Sequence, residues 1–126
     1  MSLTDGILCS KSHEYIVEKD GKYTIGLTDY AVEQLGDIVF LELPDVDAEF
    51  HKGEVFATIE SVKAASEIYM PITGRIVDVN TAVADNPEIL NESPFEKGWL
   101  VKVESDSYAA DSIDLLEYDD YKEELA

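Results

Sequence analysis

Lys63 is the residue whose setting in the sequence best suits covalent chemistry. It lies in the segment ESVKAA, residues 60–65, between two strand-like runs at 54–61 and 66–70. The runs are rich in β-branched and aromatic residues and no helical stripe separates them, so Lys63 is predicted to stand at the tip of a tight β-hairpin. A lysine there is either an ordinary solvated side chain or an amine presented for modification.

The neighbours of Lys63 favour modification by another protein over self-activation. Glu60 and Glu67 flank the lysine, whereas its nearest cationic neighbours in the sequence are Lys52 and Arg75. Lysines that act as nucleophiles are usually desolvated in apolar pockets or placed beside another cation. Because carboxylates surround Lys63 instead, we expect an outside enzyme to modify it, and we predict no catalytic residues in this chain.

Other patterns that could support chemistry are weak. His13 and His51 are the only histidines, and neither belongs to a cluster at ligand spacing, so no metal site is predicted. Cys9 is the only cysteine, which excludes an internal disulfide and is consistent with a reducing compartment. The sequence also has neither a phosphate-binding glycine-rich loop nor a Gly-x-Ser-x-Gly elbow.

The composition restricts the classes of partner. The 126 residues include 28 acidic and 9 basic side chains, which gives a formal net charge of −19. Nucleic acid and anionic membranes are polyanions, so we expect neither as a partner and expect basic or mixed protein surfaces instead. Because no long apolar run or basic leader occurs, a cytoplasmic protein is expected, although a processed organellar form would have the same sequence.

Three strands, a helix and a loop are predicted in the first half of the chain, besides the hairpin that bears Lys63. Asp20-Gly21 is a favoured hairpin-turn pair, and Thr28 and Gly36 are placed to cap and to stop a short helix. The predicted elements are paired strands at 15–17 and 23–27, a helix that ends near residue 35, a strand at 37–43 and a surface loop at 44–53.

The second half is predicted to be less regular. A strand at 75–79 is followed by an extended connection with one helical turn near 87–90, and the last predicted strand covers 99–103. From about Asp111 onward, apolar residues recur at helical spacing and predict a C-terminal amphipathic helix. These residues are Leu115, Tyr118, Tyr121 and Leu125.

Several blocks along the chain resemble the glycine cleavage system H protein family. The strongest is ESVKAASEIYMPITGRI, residues 60–76, which has Lys63 at its fourth position and is similar to that family's lipoylation segment. Similar blocks follow the family order: SHEY at 12–15, GLTDYA at 26–31, LGDIVFLELP at 35–44, PEILN at 87–91 and GW at 98–99. Together the blocks extend over roughly residues 10 to 125, nearly the whole chain.

The resemblance implies a fold and an attachment site. The fold is mainly β, a flattened lipoyl/biotinyl-type barrel-sandwich of two antiparallel sheets with a short helix in the N-terminal half and a C-terminal helix. Residues 1–126 would form a single lipoyl-carrier domain, with a β core at about 10–105 and a C-terminal helical segment at about 107–126. Lys63 would bind lipoate covalently, and the recognition residues around it would be Glu60, Ser61, Val62, Ala64 and Glu67.

The implied activity is that of a carrier, the lipoyl-bearing shuttle of the glycine cleavage system. Its arm takes an aminomethyl group from pyridoxal-phosphate-dependent glycine decarboxylase and delivers it to a tetrahydrofolate-dependent aminomethyltransferase, which releases ammonia. Dihydrolipoyl dehydrogenase, an FAD enzyme, then reoxidises the arm, and a lipoate ligase or a lipoyl/octanoyl transferase attaches it in the first place.

Two alternatives to this function remain open. The first is an H-like lipoyl relay or redox-linked lipoyl carrier that serves other complexes. The second, less favoured, is a biotin carrier, whose lysine is normally flanked by methionines, whereas Val62 and Ala64 flank Lys63.

The resemblance also implies a cleft that shelters the loaded arm. The cleft would lie beside Ser12, Glu14 and Glu67, with Gln34 at a position where the family can have a histidine. Carboxylates near the end of the arm would attract the protonated amine of its cargo, and exclusion of bulk water would slow hydrolysis. We hypothesise that Glu14 or Glu67 pairs with that amine.

Three residues depart from the family pattern. Tyr15 stands where tryptophan is more usual, Gln34 where a histidine can occur, and Asp47 where the loop often has glycine. These departures concern the detail of the cleft, and not the resemblance as a whole.

Overall fold

The computed structural model describes residues 6–125 and confirms the mainly β architecture. Within this range, ten strands form two antiparallel sheets, and five short helices accompany them. The strands are β1 (Leu8–Cys9), β2 (Glu14–Lys19), β3 (Lys22–Leu27), β4 (Ile38–Glu42), β5 (Glu49–Phe50), β6 (Val55–Ser61), β7 (Ala65–Tyr69), β8 (Gly74–Val79), β9 (Val101–Glu104) and β10 (Leu116–Glu117). The helices are α1 (Asp29–Leu35), α2 (Thr81–Asp85), α3 (Ile89–Glu92), α4 (Tyr108–Asp111) and α5 (Tyr118–Leu125).

One apolar core joins the two sheets. The larger sheet has the strand order β10-β1-β2-β3-β9-β8-β5, and the smaller has the order β4-β6-β7. Inward residues of both sheets belong to the same buried cluster, among them Ile16, Ile25, Leu41, Ile59, Ile68 and Val103. Burial of such side chains contributes about 1.5–3 kcal/mol each, so the core fixes the smaller sheet against the larger one.

The predicted hairpin and helix of the first half are confirmed. Asp20 and Gly21 both have positive φ angles, 55° and 78°, as the two-residue turn between β2 and β3 requires. Thr28 Oγ1 accepts a hydrogen bond from the backbone N–H of Ala31 at 3.2 Å, which caps α1. Gly36 ends the helix with a φ of +80°.

The prediction of a surface loop at 44–53 is wrong in part. Glu49 pairs with Arg75 and Phe50 with Gly74, so a short strand, β5, adds to the edge of the larger sheet. Asp47 precedes this strand with a φ of +77°, a conformation that favours glycine and that aspartate tolerates. Its carboxylate accepts a hydrogen bond from Arg75 Nη1 at 2.6 Å, which helps to hold the turn.

The connection after Asn80 contains more helix than the sequence predicts. α2 begins directly after Asn80 and buries Val83, and α3 starts at Ile89, two residues later than the predicted turn at 87–90. The small residues of α2 gave no apolar stripe from which a helix could be recognised.

The C-terminal predictions are wrong in two respects. The strand predicted at 99–103 is β9 at Val101–Glu104 and is not the last, because β10 pairs with β1. The predicted C-terminal helix is confirmed as α5, but it begins at Tyr118 and not near Asp111, which is the last residue of a separate short helix, α4. Pairing of Leu116 with Cys9 is a long-range contact, and it overrides the local helical spacing.

The helices are all short. Among residues 6–125, none is both long enough and apolar enough to cross a membrane.

Candidate functional site

Lys63 stands at the tip of the β6–β7 hairpin, as predicted. The last paired residues are Glu60 and Ala65, so residues 61–64 form the connection, and the Lys63 side chain is exposed. The Glu60–Ala65 pair therefore fixes the backbone on both sides of the connection that bears the lysine.

Ser61 holds the tip together from inside. Its backbone N–H donates to Ala64 O at 2.8 Å, and its Oγ accepts from the N–H groups of Lys63 at 3.2 Å and Ala64 at 3.1 Å. Serine hydroxyls stabilise turns in this way, although no Asn-Gly or Asp-Gly pair marks the tip. Ser61 is buried, so it positions the lysine backbone. The other residues predicted to surround Lys63 are exposed: Glu60, Val62, Ala64 and Glu67.

The tip rests on the turn between α1 and β4. The N–H of Val62 donates to Asp37 O at 3.0 Å. The Lys63 side chain passes over Gly36, where an added Cβ would lie 3.4 Å from Lys63 Cε. Because Gly36 has no Cβ, it can adopt the positive φ that ends α1 and can let the Lys63 side chain pack close to its backbone.

Asn91 secures that turn, a role the sequence did not reveal. Its Nδ2 donates to Gly36 O at 2.8 Å, and its Oδ1 accepts from the N–H of Ile38 at 3.0 Å. One side chain on α3 thus satisfies two backbone groups on either side of Asp37. The block PEILN contained Asn91, but nothing in its local pattern indicated these distant partners.

A cleft of about 280 Å³ lies beside the hairpin. The four residues that the resemblance placed at a cleft, Ser12, Glu14, Gln34 and Glu67, all line it. Its wall also includes residues of the hairpin itself and two aromatic rings that were not predicted at the cleft: Ile59, Ser66, Ile68, His13 and Tyr30.

Glu14 is a buried carboxylate at the cleft, with only 1% of its surface exposed. Its Oε1 accepts hydrogen bonds from Ser10 Oγ at 2.7 Å and from Ser12 Oγ at 2.5 Å, and its Oε2 accepts one from the N–H of Tyr69 at 3.3 Å. Burial raises the pKa of Glu14 above its ordinary value, and these hydrogen bonds offset part of the rise. Glu67, in contrast, is exposed on β7.

His13 joins the cleft to the C-terminal helix. Its Nδ1 lies 2.8 Å from Tyr121 Oη, and the same hydroxyl lies 2.8 Å from Thr28 Oγ1, the cap of α1. The His13 and Tyr30 rings lie 4.9 Å apart. Burial lowers the pKa of His13, which favours the neutral imidazole. Tyr121 on α5 therefore ties two parts of the cleft wall to each other.

Tyr15 lies behind the cleft and not in its lining. It is buried, donates from Oη to Pro94 O at 2.9 Å, and packs so closely on Gly26 that an added Cβ there would lie 2.6 Å from its ring. The first departure, Tyr15, is therefore a buried packing residue. Gln34, the second departure, lies at the cleft with an exposed side chain.

Within residues 6–125, no group of three or more His, Cys, Asp or Glu side chains has an arrangement that could hold a metal ion.

Comparisons with known proteins agree on one family. A family model described as "Glycine cleavage H-protein" matches residues 7–126. The chain is 48% identical over 124 residues to the "Glycine cleavage system H protein" of Staphylococcus haemolyticus, with 98% of this chain and 97% of the relative covered. It is 46% identical over 125 residues to that of Listeria monocytogenes, with 99% of each covered.

A solved structure has the same fold. The crystal structure of a glycine cleavage system H protein from Mycobacterium marinum matches with a TM-score of 0.87 and 33% sequence identity, over 95% of this chain and 96% of that one. The agreement in sequence, fold and length extends over nearly the whole chain.

Proposed function

The chain belongs to the glycine cleavage H-protein family, a family of lipoyl-bearing carriers, and from this premise we propose that lipoate is joined to Nζ of Lys63. The observation that carries the proposal is the exposed lysine at the tip of a hairpin whose backbone is held from both sides. The role is that of the shuttle between glycine decarboxylase, the tetrahydrofolate-dependent aminomethyltransferase and dihydrolipoyl dehydrogenase.

The residues present fit a lipoyl group. Acylation of Lys63 needs an amine that a second enzyme can reach, and the tip provides one. The cleft includes Ser66, three residues along the chain from Lys63, so the Cα atoms of the two residues are at most about 10 Å apart. Joined to Lys63 Nζ, lipoate would supply a disulfide able to accept the aminomethyl unit; the methylene carbon of that unit would pass to tetrahydrofolate with release of ammonia, and the flavin enzyme would reoxidise the remaining dithiol.

The contribution of this chain is to position the tether. Ser61 and the carbonyl of Asp37 restrain the backbone at Lys63, and Asn91 restrains the turn beneath it. A fixed root confines the volume that a flexible arm searches, which raises its local concentration at a docked active site. Rigidity at the tip therefore serves transfer, although the chain itself performs no bond-making step.

The cleft would protect the cargo by charge and by exclusion of water. Glu67 is exposed and lines the cleft, so it can meet a protonated amine directly. Glu14 is already engaged by three hydrogen bonds, but the bond to Oε2 is the longest, at 3.3 Å, and leaves that oxygen the more available. We propose that one of these carboxylates pairs with the ammonium of the cargo.

The lifetime of the aminomethyl-loaded protein tests the role of the carboxylates. Glu14→Gln and Glu67→Gln should each be compared with the unaltered protein, and the variant that removes the pairing group should release its cargo faster. Unchanged lifetimes in both variants would exclude the pairing.

A reconstituted exchange assay tests the function as a whole. The lipoylated protein, mixed with glycine decarboxylase, should support glycine-dependent exchange of carbon dioxide, because this reaction needs an arm that accepts the aminomethyl unit. A lipoyl relay that serves other complexes need not support it. Lack of exchange by the fully lipoylated protein, with a decarboxylase active towards another carrier, would contradict the proposal.

We also propose that residues 1–126 form one carrier domain, since the family model extends over 7–126.

A further inference from the structure

A β-bulge places two consecutive apolar side chains on the outside of the smaller sheet. Ile38 pairs with Ser61 and Phe40 pairs with Glu60, so Val39 is an extra residue in β4. Neighbouring residues of a regular strand point to opposite faces, yet Val39 is 55% exposed and Phe40 is 46% exposed. Bulges commonly redirect side chains beside functional sites.

The two exposed residues continue to the tip of the hairpin. Val62 is 68% exposed, and its N–H donates to Asp37 O, two residues before Val39. Val39, Phe40 and Val62, called the tip patch here, are thus exposed on two adjoining backbone segments, and Val62 directly precedes the tether Lys63. Exposed aromatic and aliphatic side chains that lie together mark an interaction surface more often than isolated ones do.

Carboxylates border the tip patch. Asp37, Glu42 and Glu60 are exposed, and Glu60 lies directly opposite Phe40 in the ladder. Lys63 is the cation beside them, and it becomes uncharged when its amine is acylated. The loaded carrier thus presents an apolar centre with an acidic border, which complements an apolar pocket bordered by lysine or arginine.

We propose that the tip patch is the surface on which glycine decarboxylase docks, and that this partner presents an apolar pocket with a basic border. The inference rests on the proposed function. Any active site that takes up the arm must approach the tip, so contact with the patch adds affinity at the place where the partner already lies. The aromatic ring of Phe40 is the expected anchor, and the carboxylates steer the approach.

Glycine decarboxylase is the probe that tests this surface. We would compare the fully lipoylated protein with the double variant Val39→Thr and Phe40→Thr, which keeps β-forming side chains at both positions. Val46→Thr with Ile113→Thr is the matched control, because both residues are exposed and lie outside the patch. Thermal unfolding of each variant confirms that the fold is intact.

The patch variant should raise the KM for the carrier in the exchange assay by about tenfold or more, with kcat preserved at saturation, because docking affinity is lost while the arm is intact. A KM within about twofold of the control would overturn the proposal. Asp37→Asn with Glu42→Gln should also raise KM and weaken its dependence on salt, and an unchanged salt dependence would contradict a basic border.

Direct binding separates this inference from the proposed function. If the unaltered carrier supports no exchange, the proposed function fails, but calorimetric titration with the decarboxylase still decides the docking surface. Weaker binding of the patch variant than of the control supports the surface, and equal binding overturns it.

Discussion

The side-chain amide of Asn91 donates to the carbonyl oxygen of Gly36 at 2.8 Å, across 55 residues of sequence. The same side chain accepts from the N–H of Ile38, and Lys63 passes over Gly36. The turn on which the tether rests is therefore fixed by a side chain of α3.

Asn91→Ala should destabilise the fold, because Ile38 is buried and its N–H would lose its partner. An unsatisfied buried donor costs about 1–3 kcal/mol, which urea unfolding measures as a lower midpoint. Glu92→Ala, a change at the exposed neighbour on α3, is the control and should leave the midpoint nearly unchanged. Equal midpoints for the two variants would show that Asn91 does not secure the turn.

Ser61→Ala should loosen the tip locally. The N–H groups of Lys63 and Ala64 both donate to Ser61 Oγ, so without it their amide hydrogens should exchange faster with solvent. The free energy of unfolding should fall by about 1 kcal/mol. Hydrogen exchange followed by NMR gives the measurement, with Ser66→Ala on the adjacent strand for comparison. Protection that persists at both amides would mean that the hydroxyl is dispensable.

Tyr121→Phe should remove the hydrogen bonds that join the C-terminal helix to His13 and Thr28. Loss of its hydroxyl removes the contacts to His13 Nδ1 and to the buried Thr28 Oγ1, which should cost about 1–3 kcal/mol in unfolding free energy. Tyr69→Phe alters an exposed tyrosine and should cost about 0.5 kcal/mol or less. Should both variants unfold alike, the contacts of Tyr121 do not support the cleft wall.

Glu14 should make the stability of the fold depend on pH. Burial raises its pKa in the folded protein above the unfolded value of about 4.5, so its contribution is complete below pH 4.5 and declines as pH rises through the folded pKa. The unfolding free energy of the unaltered protein, minus that of Glu14→Gln, should therefore fall as pH increases from 4.5 to 7. Urea unfolding across this range gives the difference.

A second substitution sharpens the pH test. Ser12→Ala removes a hydrogen bond to the carboxylate and should raise the pKa of Glu14 further, which moves the decline to higher pH. If the difference in unfolding free energy between the unaltered protein and Glu14→Gln were independent of pH, or grew with pH, it would contradict the burial of an ionisable Glu14.

Features with local causes were predictable from the sequence. The Asp20-Gly21 turn, the Thr28 cap and the Gly36 stop each depend on conformational preferences of one or two residues, and all three are confirmed. The hairpin that bears Lys63 was predicted from strand propensity, although Ser61 and not a turn dipeptide stabilises its tip.

Features that depend on long-range contacts were not predictable. Leu116 was expected within a helix region but pairs with Cys9, and Asn91 bonds to residues more than 50 positions away. The hydrogen bond between His13 and Tyr121 joins residues 108 positions apart. The cleft residues were predicted from the family resemblance and not from local sequence patterns, because β2, α1 and β7 come together only in the folded chain.

Mass spectrometry of the protein after incubation with lipoate, ATP and a lipoate ligase tests the central claim most directly. We expect one lipoyl group per chain, located on Lys63 by peptide fragmentation and absent from Lys63→Arg. Its attachment should also make the formal net charge one unit more negative than −19, because the amide replaces an ammonium group. An unchanged mass with a ligase that is active on another carrier, or a lipoyl group on a different lysine, would contradict the account.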